Sequence, residues 1–170
     1  MRHILSPLNV AAGIFTVIAV LFVSNWNKKQ KRAEIDKQQQ EMTAYLTAHE
    51  DDILQEAQNR LPVTLKQDNM TFERIKLNED TLEVKCRFSQ LSTFYRITDG
   101  DSYCALVRML YEGFQYKLPY LVLIKGYHVR VCTNLKGAYL DNFLVSPQAY
   151  RNAFDRCRET GIIALPWDKN

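Results

Sequence analysis

No charged side chain falls between Ile4 and Trp26, and a basic cluster follows at once. This run constrains the chain more than any other feature. As a helix, residues 4–26 span about 34 Å at 1.5 Å per residue, against a hydrocarbon core of about 30 Å. Ser6, Pro7 and Asn9 weaken the first turns, so the firm apolar centre is residues 10–23. A cleavable leader needs small residues just past its apolar run. Trp26 stands there instead, and an indole suits the headgroup level of a bilayer. The expectation is an uncleaved transmembrane anchor over residues 1–26, in a single-pass protein of the cell (inner) membrane. Trp26, Lys28, Lys29, Lys31 and Arg32 are expected at the membrane surface.

Residues 27–60 lack proline and glycine and are rich in Lys, Glu, Gln and Ala, which are good helix formers. Ile35, Met42, Leu46, Ile53 and Ala57 make a helical stripe. A strict heptad fails, because sevens counted from Ile35 and Met42 reach His49 and Glu56. The spacing predicts one continuous stalk helix whose later part docks. Met42, Leu46 and Ile53 are its interface candidates, facing either the chain's own domain or a second copy.

Pro62 closes the stalk, and residues 61–170 have the size of one compact domain. Period-two alternation sets Leu82, Val84, Cys86 and Phe88 against Glu83, Lys85 and Arg87, a half-buried strand. Residues 71–77 are β-compatible, 78–80 read as a turn, and 94–97 extend the sheet. Residues 99–114 read as a helix capped by Asp99 or Asp101. Residues 120–133 read as sheet broken at Gly126, with a hairpin at 134–137 leading into 138–146. Ser146, Pro147 and Gly161 punctuate a last helix. The expected fold class is α+β: a transmembrane helix continuing into a stalk, then an antiparallel sheet with helices packed on one face.

Chemistry is sparse. A net charge of +3 gives no nucleic-acid footprint. Cys86, Cys104, Cys132 and Cys157 form no C-x-x-C pair and there are only three histidines, so no metal site and no cofactor are expected. The four cysteines permit two disulfides in three connectivities. Buried thiols acting as small hydrophobes are the favoured reading. A nucleophile set of Cys104, His128 and Asp141 is conceivable, but no local motif poises it. Arg87, Arg96, Arg108 and Arg130 are candidates for an anion surface, although scattered arginines are usually solvated edges. No catalytic residue is assigned.

Residues 61–88, through Leu61, Pro62, Asp68, Thr71 and Leu82, resemble the opening of a loose class of small bacterial membrane-anchored domains; residues 123–131 are similar to its glycine-then-strand segment. That resemblance implies a domain outside the cytoplasm. Residues 13–23 are similar to the mature start of type IV pilins and pseudopilins, which implies a filament subunit; the acid those proteins carry shortly after the glycine is replaced by uncharged residues at 16–19. The basic cluster after the apolar run favours a cytoplasmic domain, whereas the resemblance and the even cysteine count favour an extracytoplasmic or periplasmic one. The outward side is slightly preferred. The functional expectation is a non-catalytic accessory or binding protein of the bacterial cell envelope or a secretion-type assembly. A pilin-like subunit and a membrane-tethered thiol enzyme are the alternatives. Expected partners are the lipid bilayer and a protein, or a second copy through the stalk, with no nucleic acid.

Overall fold

The computed structural model describes residues 7–90, 103–136 and 138–169, with residues 7–22 and 169 described by backbone alone. Helix α1 runs Pro7–Ala48, and α2 runs Glu50–Asn59. Strands β1 (Val63–Leu65), β2 (Met70–Asn78) and β3 (Thr81–Phe88) follow. Helices α3 (Tyr103–Phe114) and α4 (Lys117–Lys125) lead to β4 (His128–Leu135), β5 (Ala138–Val145) and helix α5 (Pro147–Glu159). The chain divides into two units, Met1–Glu41 and Met42–Asn170.

The expected transmembrane anchor is not supported. Among the described residues no helix is long and apolar enough to cross a membrane. α1 has the length, but the firm apolar centre at 10–23 falls short of the roughly 20 apolar residues a span requires. Beyond it come Ser24, Asn25, Asn27 and the basic cluster. The stalk is also not continuous. The helix breaks at His49, whose backbone leaves the helical region at φ −116°, ψ 28°. His49 Nδ1 lies 2.9 Å from the Tyr45 carbonyl oxygen, and the two rings stack at 4.4 Å.

The second unit is built on a five-stranded sheet in the order β1-β2-β3-β4-β5. Three of its strand pairs are antiparallel, but β3 and β4 are parallel, which corrects the wholly antiparallel expectation. The reason is the connection. A parallel return needs a long crossover, and α3 and α4 occupy it. Residues 120–125 are accordingly helix rather than sheet. Pro119 sits in the first turn of α4, where its missing N–H costs nothing. Gly126 caps that helix in the left-handed conformation, φ +66°, instead of bending a strand.

The other local signals have the expected outcome. Ser146 Oγ accepts from the Ala149 N–H at 3.2 Å, Pro147 opens α5, and Gly161 follows its end at φ +71°. Glu79 at φ +54° makes the β2–β3 turn. Residues 94–97, with Asp99 and Asp101, lie outside the described residues.

The core lies between one sheet face and the helices. Phe72 and Ile75 from β2, Leu82, Val84, Cys86 and Phe88 from β3, and Val129 and Val131 from β4 are buried against Leu106, Met109 and Leu110 of α3 and Tyr150 and Phe154 of α5. Gly113 lets α3 approach β2 closely, since a Cβ there would lie 3.2 Å from the Phe72 ring. α2 closes one flank through buried Ile53, Leu54 and Ala57, and Gln58 Nε2 donates to the Ile75 carbonyl at 3.1 Å. The apolar tail packs too. Ile163, Leu165 and Trp167 are buried, and Trp167 meets Tyr120 edge-on at 5.3 Å.

Two carboxylates tie the periphery down. Burial works against ionising Glu50, but hydrogen bonds from Lys125 and Tyr127, with the Lys125 charge, outweigh it and hold its carboxyl below the ordinary range. Asp168 is the same case: burial opposes ionisation, while Arg158 and the Leu165 N–H lower its pKa. Both folded pKa values are depressed, so both contributions are full above the unfolded values and vanish as pH falls through the folded ones. Thermal stability is therefore expected to hold from pH 7 down to about pH 5 and to fall below about 4. Glu50→Gln should flatten part of that acid limb, as measured by melting temperature against pH.

Candidate functional site

The alternation that buries one sheet face leaves the other covered with charge. Thr71, Glu73, Arg74 and Lys76 from β2 line up with Glu83, Lys85 and Arg87 from β3 and with Arg130, Cys132 and Asn134 from β4. Five cations thus share this face with two carboxylates. A bulge in β2 between Phe72 and Arg74 makes Glu73 an extra residue and brings it and Arg74 onto the same side. Glu73 is the hub. It accepts a hydrogen bond from Asn134 Nδ2 at 3.2 Å and forms ion pairs with Arg87 Nε at 2.9 Å and Lys85 Nζ at 3.4 Å, three residues on two other strands. Arg74 pairs with Glu83.

The two acids are satisfied and the cations are in excess. Arg74, Lys85 and Arg87 keep 59%, 46% and 51% of their side-chain surface in solvent despite their ion pairs. Lys76 and Arg130 are exposed, with no carboxylate partner among the described residues. Exposed pairs of this kind contribute about 0.2–1 kcal/mol, so an incoming carboxylate can exchange into them.

At one end the face deepens into a cleft of about 720 Å³, lined by Lys66, Asn69, Glu73, Arg87, Ser89 and Lys136 among others. Backbone geometry builds its rim. Asn69 stands at φ +51° after the 3-10 turn Lys66–Asp68, a conformation asparagine tolerates. Its carbonyl accepts from the Ser89 N–H at 2.9 Å and from Ser89 Oγ at 3.1 Å. The Lys136 N–H donates to the Phe88 carbonyl at 3.1 Å, placing the β4–β5 turn beside the end of β3. Lys66 and Lys136 are exposed at that rim and add two more cations. Behind it, buried Asp68 accepts from Arg108 Nη2 at 2.6 Å, which ties the turn to α3.

The four arginines grouped on sequence separate. Arg87 and Arg130 share the open face, Arg108 turns inward to Asp68 and Glu112, and Arg96 lies outside the described residues. Glu73 was not singled out by sequence. Its only signal is the break in alternation where Glu73 and Arg74 stand together.

The cysteine expectation is corrected. Cys104 and Cys157 form a disulfide joining α3 to α5 across 53 residues. Cys104 therefore has no thiol to offer a Cys104–His128–Asp141 set. His128 faces Asp80 at 3.6 Å, and the Asp141 N–H donates to Thr133 Oγ1 at 3.1 Å. Cys86 is fully buried, and burial, then the nearby Cys132 and Glu73, push its thiol well up. Cys132 is raised by burial and by Glu83, against the pull of Arg130, Arg74 and Lys85. Both thiols hold their protons at neutral pH.

Leu46 and Ile53 are buried in the Met42–Asn170 unit, at 0% and 5% exposure, while Met42 is half-buried. In the first unit Trp26, 56% exposed, lies on α1 with exposed Lys28, Lys29, Lys31 and Arg32.

No family model matches the chain, and no curated protein matches it. Among solved structures it is similar to the pilotin EpsS from the Vibrio vulnificus type 2 secretion system, at 16% identity and a TM-score of 0.38. The match covers 61% of this chain and 96% of that one. A likeness of that size leaves function to rest on the chain's own geometry.

Proposed function

We propose that the chain is a non-catalytic accessory protein of the cell envelope, whose Met42–Asn170 unit works in an oxidising compartment and holds an acidic segment of a protein partner across the open sheet face. The excess of cations on that face carries the reading. Five cations meet two carboxylates there, both carboxylates are already paired, and Lys66 and Lys136 extend the positive surface into the cleft. An extended acidic peptide suits it, since its carboxylates alternate at spacings a pleated sheet can meet. The Cys104–Cys157 bridge supports the compartment, because reducing interiors keep such pairs open. The protonated state of Cys86 and Cys132 supports a role without thiol catalysis.

Fluorescence anisotropy of the full chain with a labelled ten-residue oligoglutamate tests this. The peptide is expected to bind at low salt and to weaken as salt rises. Charge reversal of Arg87, Arg130 and Lys136 together is expected to weaken binding at least tenfold. Equal binding of oligolysine, or indifference to the triple reversal, counts against the proposal.

A further inference from the structure

α1 carries a second basic surface, of a different character from the open sheet. Between residues 24 and 33 its sequence holds Lys28, Lys29, Lys31 and Arg32 and no acid. All four are exposed, and none pairs with a carboxylate among the described residues. Asn25, Trp26, Lys28, Lys29 and Arg32 line one shallow depression. Helical spacing explains it: Asn25 and Lys29, like Lys28 and Arg32, stand four apart and share a face. Lys31 falls on another side, beside Gln30 and Glu34. Val23 and Trp26, each 56% exposed, set apolar surface directly against these charges.

We infer that this face of α1 docks on an anionic lipid surface, with Trp26 at the headgroup level and Lys28, Lys29 and Arg32 against the lipid phosphates. The cations alone would suit an acidic protein as well as an anionic lipid. The exposed indole selects the lipid, because an apolar ring with a polar N–H partitions to the headgroup region. So does the stretch just upstream. Residues 10–23 of the same helix are apolar in sequence, too few to span a bilayer but enough to enter its boundary layer. Apolar entry and a basic cluster are the two signals that together hold a chain at a membrane surface. The contact is with one leaflet and involves no span. The inference goes beyond the peptide-binding reading and does not depend on it.

Co-sedimentation of the full chain with vesicles tests it. Binding is expected to phosphatidylcholine vesicles containing roughly one-quarter phosphatidylglycerol, and to be at least about tenfold weaker with phosphatidylcholine alone. Lys28→Gln, Lys29→Gln and Arg32→Gln together should weaken it at least about tenfold. Glutamine is a good helix former and the three sites are exposed, so unchanged circular dichroism is expected. Tryptophan emission reports the docking directly. The chain has two tryptophans and Trp167 is buried, so a blue shift and reduced acrylamide quenching on adding vesicles belong to Trp26. Charge reversal of Arg87, Arg130 and Lys136 should leave vesicle binding unchanged, and the glutamine variant should leave oligoglutamate binding unchanged, so each surface is tested apart from the other. No binding to the anionic vesicles overturns the inference. So does equal binding to phosphatidylcholine alone, binding indifferent to the glutamine variant, loss of binding in the charge-reversal variant, or Trp26 emission that stays unmoved.

Discussion

Leu46→Asp is expected to unfold the Met42–Asn170 unit in large part, whereas Thr47→Asp, one residue on and exposed, should change its stability by no more than about 0.5 kcal/mol. Leu46 is 0% exposed. Truncating such a leucine to alanine costs about 3–5 kcal/mol, from lost transfer energy and the cavity left behind. An aspartate adds an unpaired carboxylate in an apolar site and costs more. Domains of this size are stable by about 5–15 kcal/mol, so the loss is a large fraction of the total. Chemical denaturation of the two variants side by side measures it. Equal midpoints would mean that the end of α1 is a spacer rather than part of the core.

Opening the Cys104–Cys157 bridge is the second large effect. Closing a loop of 53 residues restricts the unfolded chain by about 4 kcal/mol on the chain-entropy model, and measured bridges usually give about 2–4 kcal/mol. Cys104→Ser with Cys157→Ser should therefore lower the melting temperature by roughly 5–15 °C for a unit of this size. Dithiothreitol should lower the wild type equally and leave the double variant unmoved. In the untreated, denatured chain, two of the four cysteines should take up a thiol-alkylating reagent, and all four after reduction. A wild type as labile as the double variant would show that the bridge contributes nothing to the fold.

Sequence carried the parts of this fold that local chemistry dictates. Alternation at residues 82–88 marked β3, its buried row and its charged row. Ser146, Pro147 and Gly161 marked α5 because a cap, a first-turn proline and a left-handed terminus are local requirements. Residues 120–124 read as sheet on sequence because a short continuous apolar run has no period that separates strand from helix. Only its place in a crossover between parallel strands makes it helix. Connectivity among four cysteines is likewise a property of tertiary structure. The apolar run at 10–23 invited a membrane span, and the helix that contains it does not meet the requirement among its described residues.

The candidate site was legible as a row but not as a surface. Glu83, Lys85 and Arg87 were placed on the outer face of one strand. That Arg130 lies beside them depends on parallel pairing with β4, which no residue pattern specifies. Arg108 looked equivalent to Arg87 and is not, since Asp68 draws it into the helical layer. The Glu73 hub exists because one extra residue in β2 rotates a carboxylate onto the open face, where it meets donors from two other strands.

Amide-resolved NMR of the isotope-labelled full chain, titrated with oligoglutamate, most directly tests the proposal that this face is the binding surface. Shifts are expected to concentrate at Lys76, Lys85, Arg87, Arg130 and Lys136 and to disappear at high salt. Shifts confined to α3, α4 and α5 on the opposite side of the sheet, or no shifts at a peptide excess that saturates the anisotropy signal, would contradict it.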